Sequence, residues 1–223
     1  MTIRHHVNDE LLFEYVAGRL SEAWSVAVAT HLALCPACRE LAAGFDCAGG
    51  FALEALAPAA MADDALQACF GRIDGAMPER AKPEQAMPGT RRTADRPPLF
   101  PQPLRDYVGA TLADVRWSAV GGGVRQRLLA TNDTARARLL YIPPGEPVPE
   151  HGHRGLELTL VLAGSFADGE TVFARGDLEI ADETVQHLPI AGPGEPCICL
   201  AVTDAPLRFK SWLPRLVQPL VRI

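Results

Sequence analysis

The sequence predicts an α+β protein in two parts: a small N-terminal all-α domain of about four helices, then a C-terminal all-β barrel or sandwich. Three observations carry this. Residues 1–78 repeat apolar side chains at helical spacing. Seven of the nineteen prolines crowd between Pro78 and Pro103. Beyond them the apolar runs shorten to strand length and are cut regularly by Gly, Pro and Asp.

In the first part, "NDELLFEYVAGRLS" places Leu11, Leu12, Tyr15, Val16 and Leu20 on one helical face, with Asn8 or Asp9 as N-cap and Gly18 as stop. "SEAWSVAVATHLAL" repeats the pattern from Ser21, "PACRELAAGFDCAGGFALEAL" continues it, and "ADDALQACFGRID" supplies a fourth short helix. A helical unit of this length is near the size at which an apolar core alone becomes marginal. The stretch 79–103, with Pro83, Pro88, Pro97, Pro98 and Pro101, excludes a continuous helix or central strand and reads as a semi-rigid linker. Residues 104–223 form the β part, from "RARLLYIPPGEPVP" through "LELTLVLAGSFA", "ETVFARGDLEIA" and "VQHLPIAG" to "CICLAVTD".

Charge and composition exclude some functions. A formal net charge of -6 and 6% aromatics disfavour direct nucleic-acid binding. The acid excess sits in residues 1–78, where four arginines stand against ten Asp and Glu; it reads as an ordinary solvated surface or, more sharply, as one complementary to a basic protein. "MTIRHHVNDELL" lacks an apolar signal region and no stretch of about 18 apolar residues occurs, so no membrane span is expected. Six cysteines without a secretion signal point to the reducing cytoplasm, where thiols bind metal or do redox chemistry.

"THLALCPACRE" gathers His31, Cys35 and Cys38. Pro36 ends the helix that carries His31 and suits the first position of the next, with Cys35 at its cap. Both sulfurs then face a helix N-terminus, where the dipole favours thiolate. A structural zinc needs four ligands. The fourth comes from His5 or His6 or, failing these, Cys47, and His6 completes a Cys₂His₂ set. A CxxC redox pair is the alternative, but such motifs follow a strand and this one follows a helix. Cys47 and Cys69 read as ordinary core positions on helices.

A histidine near the start followed by HxxxCxxC, here His6 and "HLALCPAC", resembles the zinc-binding anti-sigma factors. The resemblance implies a small helical domain that wraps an extracytoplasmic-function sigma factor and keeps it from RNA polymerase.

The second cluster lies in "GEPVPEHGHRGLELTLVLAG" and "GDLEIADETVQH". His151 and His153 are in phase on a strand, and Glu157 and His187 are placed to join them at a metal. Gly145, His151, His153, Glu157 and Gly164 resemble the first motif of the cupin superfamily position for position. Gly176 and His187 keep the spacing of the second, whose Pro, Gly and Asn are replaced by Asp182, Thr184 and Ala191. A His₃Glu site accepts zinc first among candidates that include iron, manganese, nickel and copper. Cys197 and Cys199 share one side of a strand, either as buried small residues or as an oxidisable thiol pair.

Together the halves resemble the ChrR family of anti-sigma factors along nearly the whole chain. That implies a cytoplasmic regulator that binds its sigma factor through the helical domain alone and releases it under oxidative, singlet-oxygen-type stress sensed by the cupin. A homodimer through the cupin sheets is a second partner suggested by that fold. The rival reading is a metal-dependent cupin dioxygenase or isomerase with an accessory zinc-binding domain.

Overall fold

In the computed structural model, residues 2–76, 98–132 and 134–209 are described. Helix α1 (Asp9–Val16) starts at Asn8, whose Oδ1 accepts the Leu11 amide at 3.0 Å. Asp9 and Glu10 complement the dipole of its first turn. Helix α2 (Glu22–Leu34) follows Ser21, which occupies the N-cap position without the side-chain capping bond the sequence suggests. Its Glu22 carboxylate instead accepts the Tyr107 hydroxyl and the Asn132 amide, each at 2.7 Å. Cys35 is the C-cap of α2, extended at φ -106 and ψ 105 as a residue before proline must be, and α3 (Pro36–Glu54) begins directly after it. Helix α4 spans Ala65–Ala76.

A fifth helix, α5 (Gln102–Val108), stands at the end of the segment expected to be linker. Pro101 is its N-cap and Pro103 lies in the first turn, where the missing N–H has no intrahelical partner to lose. Proline there starts a helix rather than barring one. The rest of the expected linker, up to Pro97, lies outside the described residues.

Among the described residues twelve strands follow: β1 (Ser118–Gly121), β2 (Val124–Leu128), β3 (Arg136–Ile142), β4 (His151–Gly152), β5 (Glu157–Ala163), β6 (Ser165–Asp168), β7 (Thr171–Ala174), β8 (Leu178–Ala181), β9 (Gln186–His187), β10 (Ile190–Ala191), β11 (Cys197–Thr203) and β12 (Arg208–Phe209). The large sheet has the order β1-β2-β3-β11-β5-β8 and is antiparallel throughout. Two three-stranded sheets, β10-β6-β7 and β12-β4-β9, stand apart from it rather than closing one continuous ladder.

The large sheet has two unlike faces, set by the period of two. On one, Ala137, Leu139, Leu158, Leu160, Ile198, Leu200 and Val202 join a core with α2 and with Leu104 and Val108 of α5. On the other, Arg138, Leu140 and Ile142 alternate with them on β3, and Cys199, Ala201 and Thr203 do so on β11. This second face lines a lumen of about 370 Å³.

Helix α2 is apolar on every side: Ala23, Trp24, Val26, Ala27, Val28 and Leu32 are all buried. Such a helix must be covered all round. Accordingly Met1–Gly49 belong with Pro98–Ile223 to one compact unit, and Gly50–Pro97 form another. These units divide the chain elsewhere than the proline-rich composition does, because α2 shares its core with the sheet. No single helix among the described residues is long and apolar enough to cross a membrane, and the pair α2 and α3 is bent by 118°.

Candidate functional site

The break at Cys35 builds the first cluster. It sets the Cys35 sulfur at the end of α2, the Cys38 sulfur in the first turn of α3, and His31 one turn back on α2. The arm before α1 brings in His6. His6 Nδ1 is 3.3 Å from Cys35 Sγ and 3.4 Å from Cys38 Sγ, and His31 Nε2 is 3.3 Å from Cys38 Sγ. Tetrahedral zinc with its usual bond lengths needs sulfur–nitrogen edges of about 3.6 Å, so the four donors fit that ion. His5 is not among them. Its ring leans on Phe173 at 4.4 Å. Cys47 is not among them either.

His31 Nδ1 donates to the Gly176 carbonyl at 3.0 Å, which fixes the tautomer and leaves Nε2 facing the sulfurs. Burial lowers the His31 pKa to about 4. Burial, with the neighbouring Cys35 thiol, also raises Cys38 to about 11. This is the opposite of the thiolate that the helix dipole alone was expected to give: desolvation outweighs the dipole until a cation supplies the charge.

Sequence reasoning missed the anchor of this cluster, Asp177. Its Oδ1 accepts the Arg4 amide at 2.6 Å and the His5 amide at 3.0 Å, and its Oδ2 accepts the Ala174 amide at 2.9 Å. Burial opposes ionisation, yet these amide donors and His5 hold the carboxyl below its usual range. The Leu178 amide donates to the His5 carbonyl at 3.1 Å. Gly176 (φ +91) admits Ile3 so closely that a Cβ there would meet its side chain at 2.6 Å. A Gly-Asp turn before a strand was the only signal in the sequence.

The second cluster sits at the lumen wall. Strands β4 and β9 pair with His151 directly opposite His187. His187 Nε2 lies 3.1 Å from both His151 Nε2 and His153 Nε2. Such edges suit one cation about 2.1 Å from each nitrogen. Glu157, the first residue of β5, completes the group less tightly, with Oε2 3.7 Å from His153 Nδ1 and Oε1 accepting from Thr159 at 3.2 Å. Two of the three outer nitrogens are oriented as ligands require, while His153 Nδ1 is buried without a hydrogen bond. His151 Nδ1 donates to the Pro149 carbonyl at 2.8 Å, and His187 Nδ1 to Asp168 at 3.2 Å.

Burial lowers His151 and His153 to about 4 and raises Glu157 to about 7. For His187 burial works downward, but Glu179, 3.7 Å away, with Glu157 and Asp168, carries it above its ordinary value. The replaced motif residues still make a turn: Thr184 donates from its amide and hydroxyl to Asp182 at 2.8 and 2.6 Å, and the Val185 amide bonds the Asp182 carbonyl. An Asx-turn does what Pro and Gly do elsewhere.

Cys197 and Cys199 are buried in the barrel wall. The hydrogen bond from Cys197, then burial, raise Cys199 well above the ordinary thiol value, an environment for thiol rather than thiolate. Cys47 and Cys69 are exposed, against the core positions expected of them. Past Ala42, α3 buries no residue, and α4 buries none.

The family profile described as the ChrR cupin-like domain matches residues 106–206. Over all 223 residues, and over the whole length of the relative, the chain is 53% identical to the anti-sigma-E factor ChrR of Cereibacter sphaeroides. A chain in the crystal structure of Rhodobacter sphaeroides SigE in complex with the anti-sigma ChrR matches at 49% identity and a TM-score of 0.76, covering 91% of this chain and all of that one.

Proposed function

The chain belongs to the ChrR family of anti-sigma factors, and from that premise we propose that it sequesters a sigma factor of the extracytoplasmic-function class in the cytoplasm. The carrying observation is an apolar surface left uncovered. In α3, Phe51 and Leu53 are 78% and 70% exposed; on α4, Leu66, Phe70 and Ile73 are exposed at helical spacing on one face. A stripe of this kind on a water-exposed helix marks a protein contact. The acidic surplus of residues 1–78 suits a basic partner. The relative solved with SigE is the precedent for the partner class.

His6, His31, Cys35 and Cys38 would hold a structural zinc, which ties the arm and the α2–α3 junction into one piece. His151, His153, Glu157 and His187 would hold a second divalent cation, zinc first, next to the lumen. When bound, that cation offers a Lewis-acidic centre open to the cavity. Asp177 and Gly176 give the two clusters a common support. Gly176 binds His31, Asp177 binds the arm, and β8 continues to Glu179 beside His187. A change at the lumen would thus reach the arm and the first cluster through one turn. The relatives are regulators, which disfavours the dioxygenase or isomerase alternative.

The test uses the full chain, because α2 shares its core with the sheet. The wild type and a Leu66→Asp/Phe70→Asp/Ile73→Asp variant are co-expressed with Rhodobacter sphaeroides SigE, the partner in the solved relative. We expect a stable one-to-one complex for the wild type and at least about a 100-fold loss of affinity for the variant, as loss of a central apolar anchor gives. The variant should retain its melting temperature within about 3 °C, because the replaced side chains are exposed. Equal affinity in both would sink the reading.

A further inference from the structure

The lumen contains a charge that the proposed metal site does not use. Arg138 on β3 is 4% exposed and faces the cavity with Leu140 and Ile142. Its Nε and Nη1 are buried with no hydrogen-bond partner, and no carboxylate among the described residues lies within ion-pair distance of it. Of the three carboxylates lining the cavity, Glu146 lies at the rim against Gly122, and Glu157, although it attracts Arg138 electrostatically, and Glu179 are engaged elsewhere. Glu157 takes the Thr159 hydroxyl and lies beside His153, and Glu179 lies beside His187. A buried guanidinium left without an acceptor is costly, so such groups are built where an acceptor arrives from outside.

The rest of the cavity defines what accompanies that acceptor. Val124, Leu140, Ile142, Val148 and Phe166 give it an apolar wall, aliphatic but for one ring. About 370 Å³ is the volume of a small-molecule pocket. Its rim is formed in part by the Gly121–Gly122 hairpin and by Pro147 and Pro149, which are exposed. Gly122 (φ +57) lies against the Glu146 carboxylate in a left-handed conformation that favours glycine.

We propose that the lumen is a binding site for an amphipathic aliphatic monocarboxylate, whose head forms a two-pronged ion pair with Arg138 and whose chain lies against the apolar wall. Arginine is the residue suited to this, because its planar fork matches both carboxylate oxygens. The site does not depend on the sigma-factor reading, since it is defined wholly inside the barrel and is read by direct binding.

The experiment is calorimetry of the full-length, metal-loaded protein with octanoate, octanol, acetate and cinnamate as probes. Octanoate should bind at least about 30-fold more tightly than octanol, the range a charged hydrogen-bond pair supplies, and more tightly than acetate, which lacks the chain. Arg138→Leu should lose the same factor. A second measurement needs no variant: octanoate should shift the guanidinium NMR signal of Arg138 in the wild type. Octanol binding as tightly as octanoate, acetate matching octanoate, an unshifted guanidinium signal, or no binding of any probe would each overturn the proposal. Cinnamate binding more tightly than octanoate would overturn its aliphatic part.

Discussion

The two His-rich clusters use similar donors and are built for opposite ends. In the first, four donors from the arm and one helix junction close around a point, with sulfur–nitrogen separations of 3.3–3.4 Å. In the second, three imidazoles meet at 3.1 Å, the carboxylate stands further off, and a lumen opens beside His151 and Glu157. The first draws the arm and the helix junction together. The second can hold the chain together and also meet a ligand. Ligand type does not separate structural from responsive sites; what lies next to the open coordination positions does.

The largest effect should come from removing the first cluster's thiols. Cys35→Ser/Cys38→Ser should lower metal content by about one zinc per chain. It should also cost at least about 3 kcal/mol of stability, some 10 °C in melting temperature for a chain of this length. His151→Ala/His187→Ala should remove the second metal while shifting melting by less than half as much. Metal analysis and calorimetry of both variants decide this, and equal losses of stability would erase the contrast between the clusters.

An intermediate effect belongs to Asp177, which supports the first cluster from the β part. Its folded pKa is depressed, so its stabilisation is complete above the unfolded value near 4 and fades as pH falls below it. Asp177→Asn should cost about 1–2 kcal/mol at pH 7 and should flatten the acid limb of a pH–stability curve. An unchanged acid limb would show that the arm is held by something else.

The smallest effect concerns Glu22, which receives Tyr107 and Asn132. Its hydrogen bond, with partial burial, lifts the Tyr107 phenol to about 12. Glu22→Gln should bring that titration back toward 10, read by ultraviolet absorbance, with less than about 1 kcal/mol of stability lost.

Much of this was legible in the residues. The spacing of His31, Cys35 and Cys38 around Pro36 announced both a helix break and a donor cluster, because proline geometry is local. The HxH…E spacing and Gly176…His187 were legible for the same reason. Contacts that close long loops were not: nothing near Gly176 or Asp177 in the sequence mentions His31 or Arg4. Arg138 reads as one more charge in "RARLLYI", and only the pairing of β3 with β11 turns it inward. Cys47 and Cys69 failed as core positions because helical periodicity shows that a face is apolar without showing what covers it.

The bond from the Arg4 amide to Asp177 spans 173 residues, and that from His31 to Gly176 spans 145. On the ribosome, the first cluster is therefore synthesised early and completed late. At roughly 5–20 residues per second, the arm waits on the order of ten to thirty seconds for the turn that receives it. Ribosome-bound chains stopped near residue 150 should take up zinc more weakly than chains stopped after the full length has emerged. A nascent chain in that interval carries its N-terminal helices before the β part that completes the cluster exists.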